Sequence, residues 1–119
     1  MLKPNLKRIL LQKQEEGYML DLNGRKMKPN MTNLAIALGV VKQQVTMWGS
    51  GASYPRPETL YKMAKVLDVS VNDLYTLEET EEELQKEREE IEKRLQELEE
   101  QAKQRKEAYR RRKEKNAKN

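Results

Sequence analysis

The stretch MTNLAIALGVVKQQVTMWGSG, residues 31–51, decides the fold of this chain. It predicts two short helices, residues 31–38 and 41–48, separated by a tight turn at Gly39. Asn30 is a residue type that commonly caps helix N-termini, and glycine commonly follows a helix C-terminus. Apolar residues at helical spacing are expected to face a core: Leu34, Ala35, Leu38, Val45 and Trp48.

Two short helices joined by a glycine-containing turn form the helix-turn-helix unit. Gly39 allows the positive φ that the turn requires, and the small side chain of Ala35 lets the two helices approach closely. Val45 anchors the second helix from beneath and leaves its opposite face free. Trp48 stands at an inward position, so we interpret it as a core residue. The pattern predicts that the second helix projects into the major groove of double-stranded DNA.

Upstream of this unit, the sequence predicts a helix and a β-hairpin. Residues 6–14 show helical apolar spacing. Asn23-Gly24 lies between two short alternating runs, which is a strong hairpin signal. The alternative is a frayed extension of the first helix followed by a loop. The hairpin register would pair Leu22 with Arg25, Asp21 with Lys26 and Leu20 with Met27.

Downstream, residues 58–67 show the spacing of another amphipathic helix, and Ser70 is a suitable N-cap for a last short helix. After Leu77 the sequence contains neither Gly nor Pro, and Glu, Lys, Arg, Gln and Leu dominate, which is typical of a long helix. We therefore expect a mainly α protein with two parts. Residues 1–77 would form the DNA-binding domain, with the hairpin at about 17–28, and residues 78–119 a charged helix with a basic tail.

Composition limits the chemistry that the chain can perform. Of 119 residues, 36% are hydrophobic and 37% are charged, so part of the chain is expected to lie outside any core. The sequence has no Cys and no His, the residues most used for metal binding and acid–base catalysis. We expect no enzyme activity, cofactor, metal or small-molecule ligand. The sequence also shows no signal-peptide pattern and no membrane-length apolar run, so we expect a cytoplasmic protein without membrane contact.

The net charge of +4 conceals three electrostatic blocks. Residues 1–77 carry a net charge of +5, residues 78–100 carry −8 and residues 101–119 carry +7. Blocks of such different sign indicate separate roles along the chain rather than one uniform surface.

An ordered set of residues runs through the predicted helices: Leu34-Ala35, Leu38-Gly39-Val40, Gln43, Val45, Trp48, Gly51, Pro55, Glu58-Thr59-Leu60, Met63-Ala64, Leu67, Val69-Ser70-Val71 and Leu74. In this order and spacing, roughly residues 30–75 resemble the helix-turn-helix regulators of the Cro and phage-repressor type. The resemblance implies a lambda-repressor-like fold. The chain departs from the family in the hairpin insertion, in its C-terminal third and at Gly49, where the family often has an acidic residue.

The resemblance implies which residues meet DNA. Base contacts would fall on Lys42, Gln43 and Met47, flanked by Val41 and Thr46. Lysine can donate to guanine, glutamine can bind adenine in a bidentate manner, and apolar side chains can contact thymine methyl groups. Phosphate contacts would come from Met31, Thr32 and Gln44, with Lys26 and Lys28 of the hairpin as further candidates. The alternative is a protein-binding module, such as an inhibitor, that uses the same fold.

A heptad pattern fits the C-terminal segment from Leu74 onward and predicts a homodimer through a coiled coil. Opposite charge in its two halves favours antiparallel pairing. The alternatives are a single charged helix, a parallel pair with a basic nucleic-acid tail, and a dimer through the last small helix near Tyr75. The expected dimerisation residues are Leu77, Leu84, Ile91, Leu95, Leu98 and Ala102.

These observations predict a sequence-specific regulator of transcription that binds double-stranded DNA. The resemblance favours a repressor of a phage, a plasmid or another mobile element. A protein of plasmid maintenance or replication would use the same residues and remains an alternative.

Overall fold

The structure, a computed structural model, describes residues 1–117 of the chain. It is mainly helical, with a helix-turn-helix, a small hairpin and a long C-terminal helix, which confirms the predicted fold class. The last two residues of the predicted basic tail lie outside the described residues. The elements in chain order are β1 (Leu2–Pro4), α1 (Leu6–Glu15), β2 (Leu20–Leu22), β3 (Arg25–Met27), α2 (Met31–Leu38), α3 (Lys42–Ser50), α4 (Pro57–Leu67), α5 (Val71–Leu74), β4 (Tyr75–Leu77) and α6 (Glu81–Ala117).

Contacts divide the chain into two compact units, Met1–Glu78 and Glu79–Asn119. The first unit holds the helices α1 to α5 and a single apolar core. The core is built from one face of each helix and from the hairpin, and its fully or nearly fully buried members are Leu6, Ile9, Leu10, Leu20, Leu34, Ala35, Val45, Trp48, Met63, Ala64, Leu67 and Leu74. The buried positions of Val45 and Trp48 confirm their prediction as core residues.

The helix-turn-helix turn has the geometry that the sequence predicts. Asn30 accepts a hydrogen bond from the backbone N–H of Asn33 through its side chain, so it caps α2 as predicted. Gly39 ends α2 at φ 69°, in the left-handed region that glycine adopts without steric cost. Ser70 is the N-cap of α5 and forms a reciprocal capping box with Asp73.

The hairpin forms in the predicted register, with Leu20 opposite Met27, Asp21 opposite Lys26 and Leu22 opposite Arg25. Its base is tied to α2 because the buried Asn33 side chain donates to the carbonyl of Lys28, 3.0 Å away. The side chain of Gln14, on α1, donates to the carbonyl of Pro29. These bonds hold the start of α2 in place despite the inserted hairpin.

A second two-stranded sheet was not predicted from the sequence. β1 pairs antiparallel with β4, with Leu2 opposite Leu77 and Pro4 opposite Tyr75. Asn5 closes the junction, since its side chain donates to the carbonyl of Asp73 and to the hydroxyl of Thr76. Strands of three residues, far apart in sequence and with no shared turn, leave no local pattern to read.

The long helix begins later than the heptad pattern predicted. Leu74 is buried in α5 and Leu77 pairs with Leu2 in β4, so the prediction that Leu77 occupies a heptad position of the long helix is wrong. α6 starts at Glu81 because Thr80 and Glu83 form a capping box across its first turn. No helix within residues 1–117 has the length and apolarity needed to cross a membrane.

Candidate DNA interface

The helix α3 turns one face to the core and the other to solvent. Val45, Trp48 and Gly49 are buried on the inner face. At 3.6 residues per turn, Gln43 and Met47 lie on the opposite side, one turn apart, and both are exposed. The structure therefore presents the two central residues of the predicted base-reading set side by side on a free helix surface.

Ser50 continues this line by one further turn and was not predicted as a site residue. Its hydroxyl donates to the carbonyl of Met47 at 3.1 Å, at the last residue of α3. The sequence contained the signal, because residues 43, 47 and 50 follow the 4-3 spacing of one helix face.

Lys42 and Thr46 occupy one flank of this exposed face. The Thr46 hydroxyl donates to the carbonyl of Lys42 at 3.1 Å and lies 3.7 Å from the sulfur of Met31. Val41 precedes α3 as its N-cap and is 67% exposed. All five predicted base-reading residues are thus exposed at the start or along the outer side of one helix.

The N-termini of α2 and α3 offer backbone N–H groups to an anion. α3 has no side-chain cap at Val41, so the first amides of this helix are available to an acceptor from outside. Met31 and Thr32 occupy the first turn of α2, and the exposed Gln44 lies on the other flank of α3. Residues 31–50 contain no acidic residue, and Lys42 supplies their only charge. No carboxylate along residues 31–50 would therefore repel a DNA phosphate.

Lys7, on α1, joins this surface and was not predicted as a site residue. Its aliphatic chain packs beside Gly49, 3.6 Å from where a β-carbon would lie, and the residue is exposed overall. Since the hairpin follows α1, it leaves the start of that helix beside α3. The glycine at position 49 leaves room for this close approach, but no local sequence pattern pairs it with Lys7.

The two hairpin lysines occupy different surroundings. Lys26 pairs with Asp21 across the hairpin at 3.5 Å and lines a groove with Lys62 and Lys65 of α4. Lys28 is exposed two residues before the N-cap of α2. Lys28 thus lies just before the N-terminus of α2, whereas Lys26 lies beside α4.

The remaining predicted dimerisation residues lie on α6, in the second unit. Ile91, Leu95 and Leu98 are 50%, 49% and 61% exposed, and Leu84 is half-buried. Ala102 is exposed as well.

Comparison with known protein families agrees with the helix-turn-helix geometry described above. The family model described as Helix-turn-helix matches residues 23–74, from the hairpin turn to the end of α5. Residues 23–74 belong to the Cro-type helix-turn-helix family. This match supports a DNA-binding regulator of transcription. The match leaves α1 and α6 outside, and a search of curated proteins found no significant match to the chain.

Proposed function

We propose that this protein is a sequence-specific regulator that reads double-stranded DNA with α3 and represses transcription of a phage, plasmid or other mobile element. The observation that carries the proposal is the outer face of α3, where Gln43 and Met47 are exposed and no acidic residue lies nearby along residues 31–50. A repressor of this kind acts by occupying its site and excluding other proteins from it. The protein would act in the cytoplasm, where such DNA is found.

The base-reading roles follow from side-chain chemistry. Gln43 can hydrogen-bond adenine through both its amide oxygen and its amide nitrogen, and Lys42 can donate to guanine. Met47 and Val41 are apolar and exposed, which suits contact with thymine methyl groups. The Thr46 hydroxyl already donates to the helix backbone, so Thr46 would contribute its methyl group or its accepting lone pair.

The phosphate contacts would come from the edges of the same surface. Met31 and Thr32 offer backbone N–H groups at the start of α2, and Gln44 offers its side chain. We add Lys7 because it packs beside α3, and retain Lys28 at the approach to α2. The ion pair of Lys26 with Asp21 favours a role in hairpin structure.

We further propose that the protein binds DNA as a homodimer held by α6. The apolar residues Leu84, Ile91, Leu95, Leu98 and Ala102 follow heptad spacing and carry exposed surface that a second helix would bury. A dimer reads two half-sites, which raises both affinity and specificity.

Selection of bound sites from a pool of random duplexes tests the proposed function. The wild-type protein should enrich a defined sequence, and its affinity for that sequence should exceed its affinity for random duplexes by about 10³-fold or more. Equal affinity for all duplexes would contradict sequence reading. Failure to bind duplex DNA at low salt would leave the fold with the role of a protein-binding module.

A further inference from the structure

The helix α6 carries an apolar stripe with an unusual symmetry. Its members follow spacings of 7, 4, 3, 4 and 7 residues: Leu84, Ile91, Leu95, Leu98, Ala102 and Tyr109. Arg88 and Arg105 fill the two heptad positions that interrupt it. Counted from either end, the stripe has the same order of apolar and arginine positions, with its midpoint between Gln96 and Glu97.

We propose that α6 pairs antiparallel with α6 of a second copy of this chain, in the single register centred on that midpoint. The proposal rests on the self-association through α6 proposed above and adds its orientation and alignment. Antiparallel coiled coils place a positions of one helix opposite d positions of the other. In this register Leu84 faces Tyr109 of the second copy, Arg88 faces Arg105, Ile91 faces Ala102, and Leu95 faces Leu98.

The charges of the two ends fit this register. Residues 81–92 carry a net charge of −5 and residues 101–112 carry +5, and the register sets these two segments directly against each other. A parallel pair would set −5 against −5 and +5 against +5. Individual exposed ion pairs contribute little, but like charges summed along two segments disfavour the parallel arrangement.

The heptad layers lead to the same preference. Both orientations form the same number of apolar layers, and both contain two arginine–arginine layers from Arg88 and Arg105. They differ at the ends of the stripe. The antiparallel register places Glu81 opposite Arg112 twice, whereas a parallel pair would place each of these residues opposite its own copy. Burial of apolar surface is thus equal, and charge decides the orientation.

The register fixes where the two copies of α6 begin. Each Glu81 lies level with Arg112 of the other helix, so the two helix starts are about 47 Å apart along the axis at 1.5 Å per residue. The DNA-reading domains therefore leave the pair at opposite ends. Such a dimer suits half-sites separated by more than one helical turn, or two separate DNA segments, better than half-sites about 34 Å apart.

Distances between spin labels on the full-length protein test the register. The sequence has no cysteine, so Lys86→Cys, Glu100→Cys and Glu107→Cys each give one labelling site on the outer face of α6. In the proposed register, labels on the two copies are offset along the axis by about 32 Å at positions 86 and 107 and by about 11 Å at position 100. The distance at position 100 should therefore be clearly the shortest. Leu95→Glu, which places a charge in a central layer, should abolish all three distances.

The possible outcomes separate the two proposals. Equal short distances at the three positions would establish a parallel pair and overturn the antiparallel register, while self-association through α6 would stand. A monomer in sedimentation at the labelling concentration would overturn both the register and the self-association. Neither result would affect DNA reading by α3.

Discussion

The side chain of Met31 lies directly over Gly49, so that a β-carbon at position 49 would come 2.9 Å from the Met31 methyl group. This contact joins the first residue of α2 to the inner edge of α3. Lys7 of α1 packs on the same glycine. The absence of a side chain at position 49 thus leaves room for Met31 and Lys7 beside α3.

Gly49→Ala tests this relationship, since Gly49 has helical backbone geometry and alanine favours a helix by about 1 kcal/mol over glycine. We expect less of this gain in the wild type, because the new methyl group must displace the end of the Met31 side chain. In a Met31→Ala background the full gain should appear, giving a coupling of about 0.5 kcal/mol between the two positions. Urea unfolding of the four proteins measures it. The same effect of Gly49→Ala in both backgrounds would refute the contact.

The salt dependence of DNA binding distinguishes the proposed phosphate contact of Lys7 from the structural role of Lys26. Lys7→Ala should reduce the slope of log K against log salt concentration by about 0.9, the value for one lost phosphate contact. Lys26→Ala, the matched control, should leave the slope unchanged, because Lys26 lies beside α4 and pairs with Asp21. A reduced slope for Lys26→Ala alone would instead place the hairpin on the phosphate backbone.

How far the fold can be predicted from the sequence depends on the range of the interactions that form each element. The helix caps, the glycine turn and the Asn23-Gly24 hairpin are local, and their positions could be predicted because each depends on a few neighbouring residues. The β1–β4 sheet depends on residues more than 70 positions apart and gave no local signal. The start of α6 was missed because the heptad pattern was extended through Leu77, although the Thr80 to Glu83 capping box marked the true start.

The candidate DNA interface shows the same difference between local and long-range interactions. The outward positions of Gln43 and Met47 follow from helical periodicity once the buried face is known, whereas their role as base contacts is what the family resemblance implies. Lys7 could not be identified from periodicity, because its position beside α3 depends on how α1 packs against Gly49.

Tyr18 should make the stability of the DNA-binding domain sensitive to alkaline pH. Its hydroxyl donates to the carbonyl of Val66 at 2.7 Å, and burial, followed by the charge of Asp68, raises its pKa above 10.0. The folded state therefore favours the protonated form, so its stabilisation is present below pH 10 and is lost as pH rises through the raised pKa. Tyr18→Phe should cost about 1 kcal/mol near neutral pH.

Urea unfolding across the pH range measures this effect as the difference in stability between the wild type and Tyr18→Phe. The difference should stay constant up to about pH 10 and shrink above it. A difference that remains constant above pH 10 would show that the Tyr18 proton does not stabilise the fold.

The end layer of the proposed α6 pair can be tested by exchanging charges. Glu81→Arg or Arg112→Glu alone would place like charges opposite each other and should weaken the dimer by about 1 kcal/mol, roughly fivefold in Kd. The double variant restores opposite charges and should recover most of the affinity. Sedimentation equilibrium measures the dissociation constants of the wild type and the three variants. In a parallel pair, residues 81 and 112 each face their own copy, so like charges face each other before and after each single exchange. Unchanged dissociation constants for the single variants would therefore count against the antiparallel register.

The central claim is that the outer face of α3 reads bases, and the adjacent residues Gln43 and Gln44 test it most directly. They have the same side chain, but Gln43 lies at the centre of the exposed face and Gln44 on its flank. Site selection from random duplexes should show that Gln43→Ala loses the preference at one base position, at a cost of about 1–3 kcal/mol in specific binding. Gln44→Ala should weaken binding to all duplexes and keep the selected sequence. An unchanged selected sequence for Gln43→Ala would contradict the assignment of α3 as the base-reading helix.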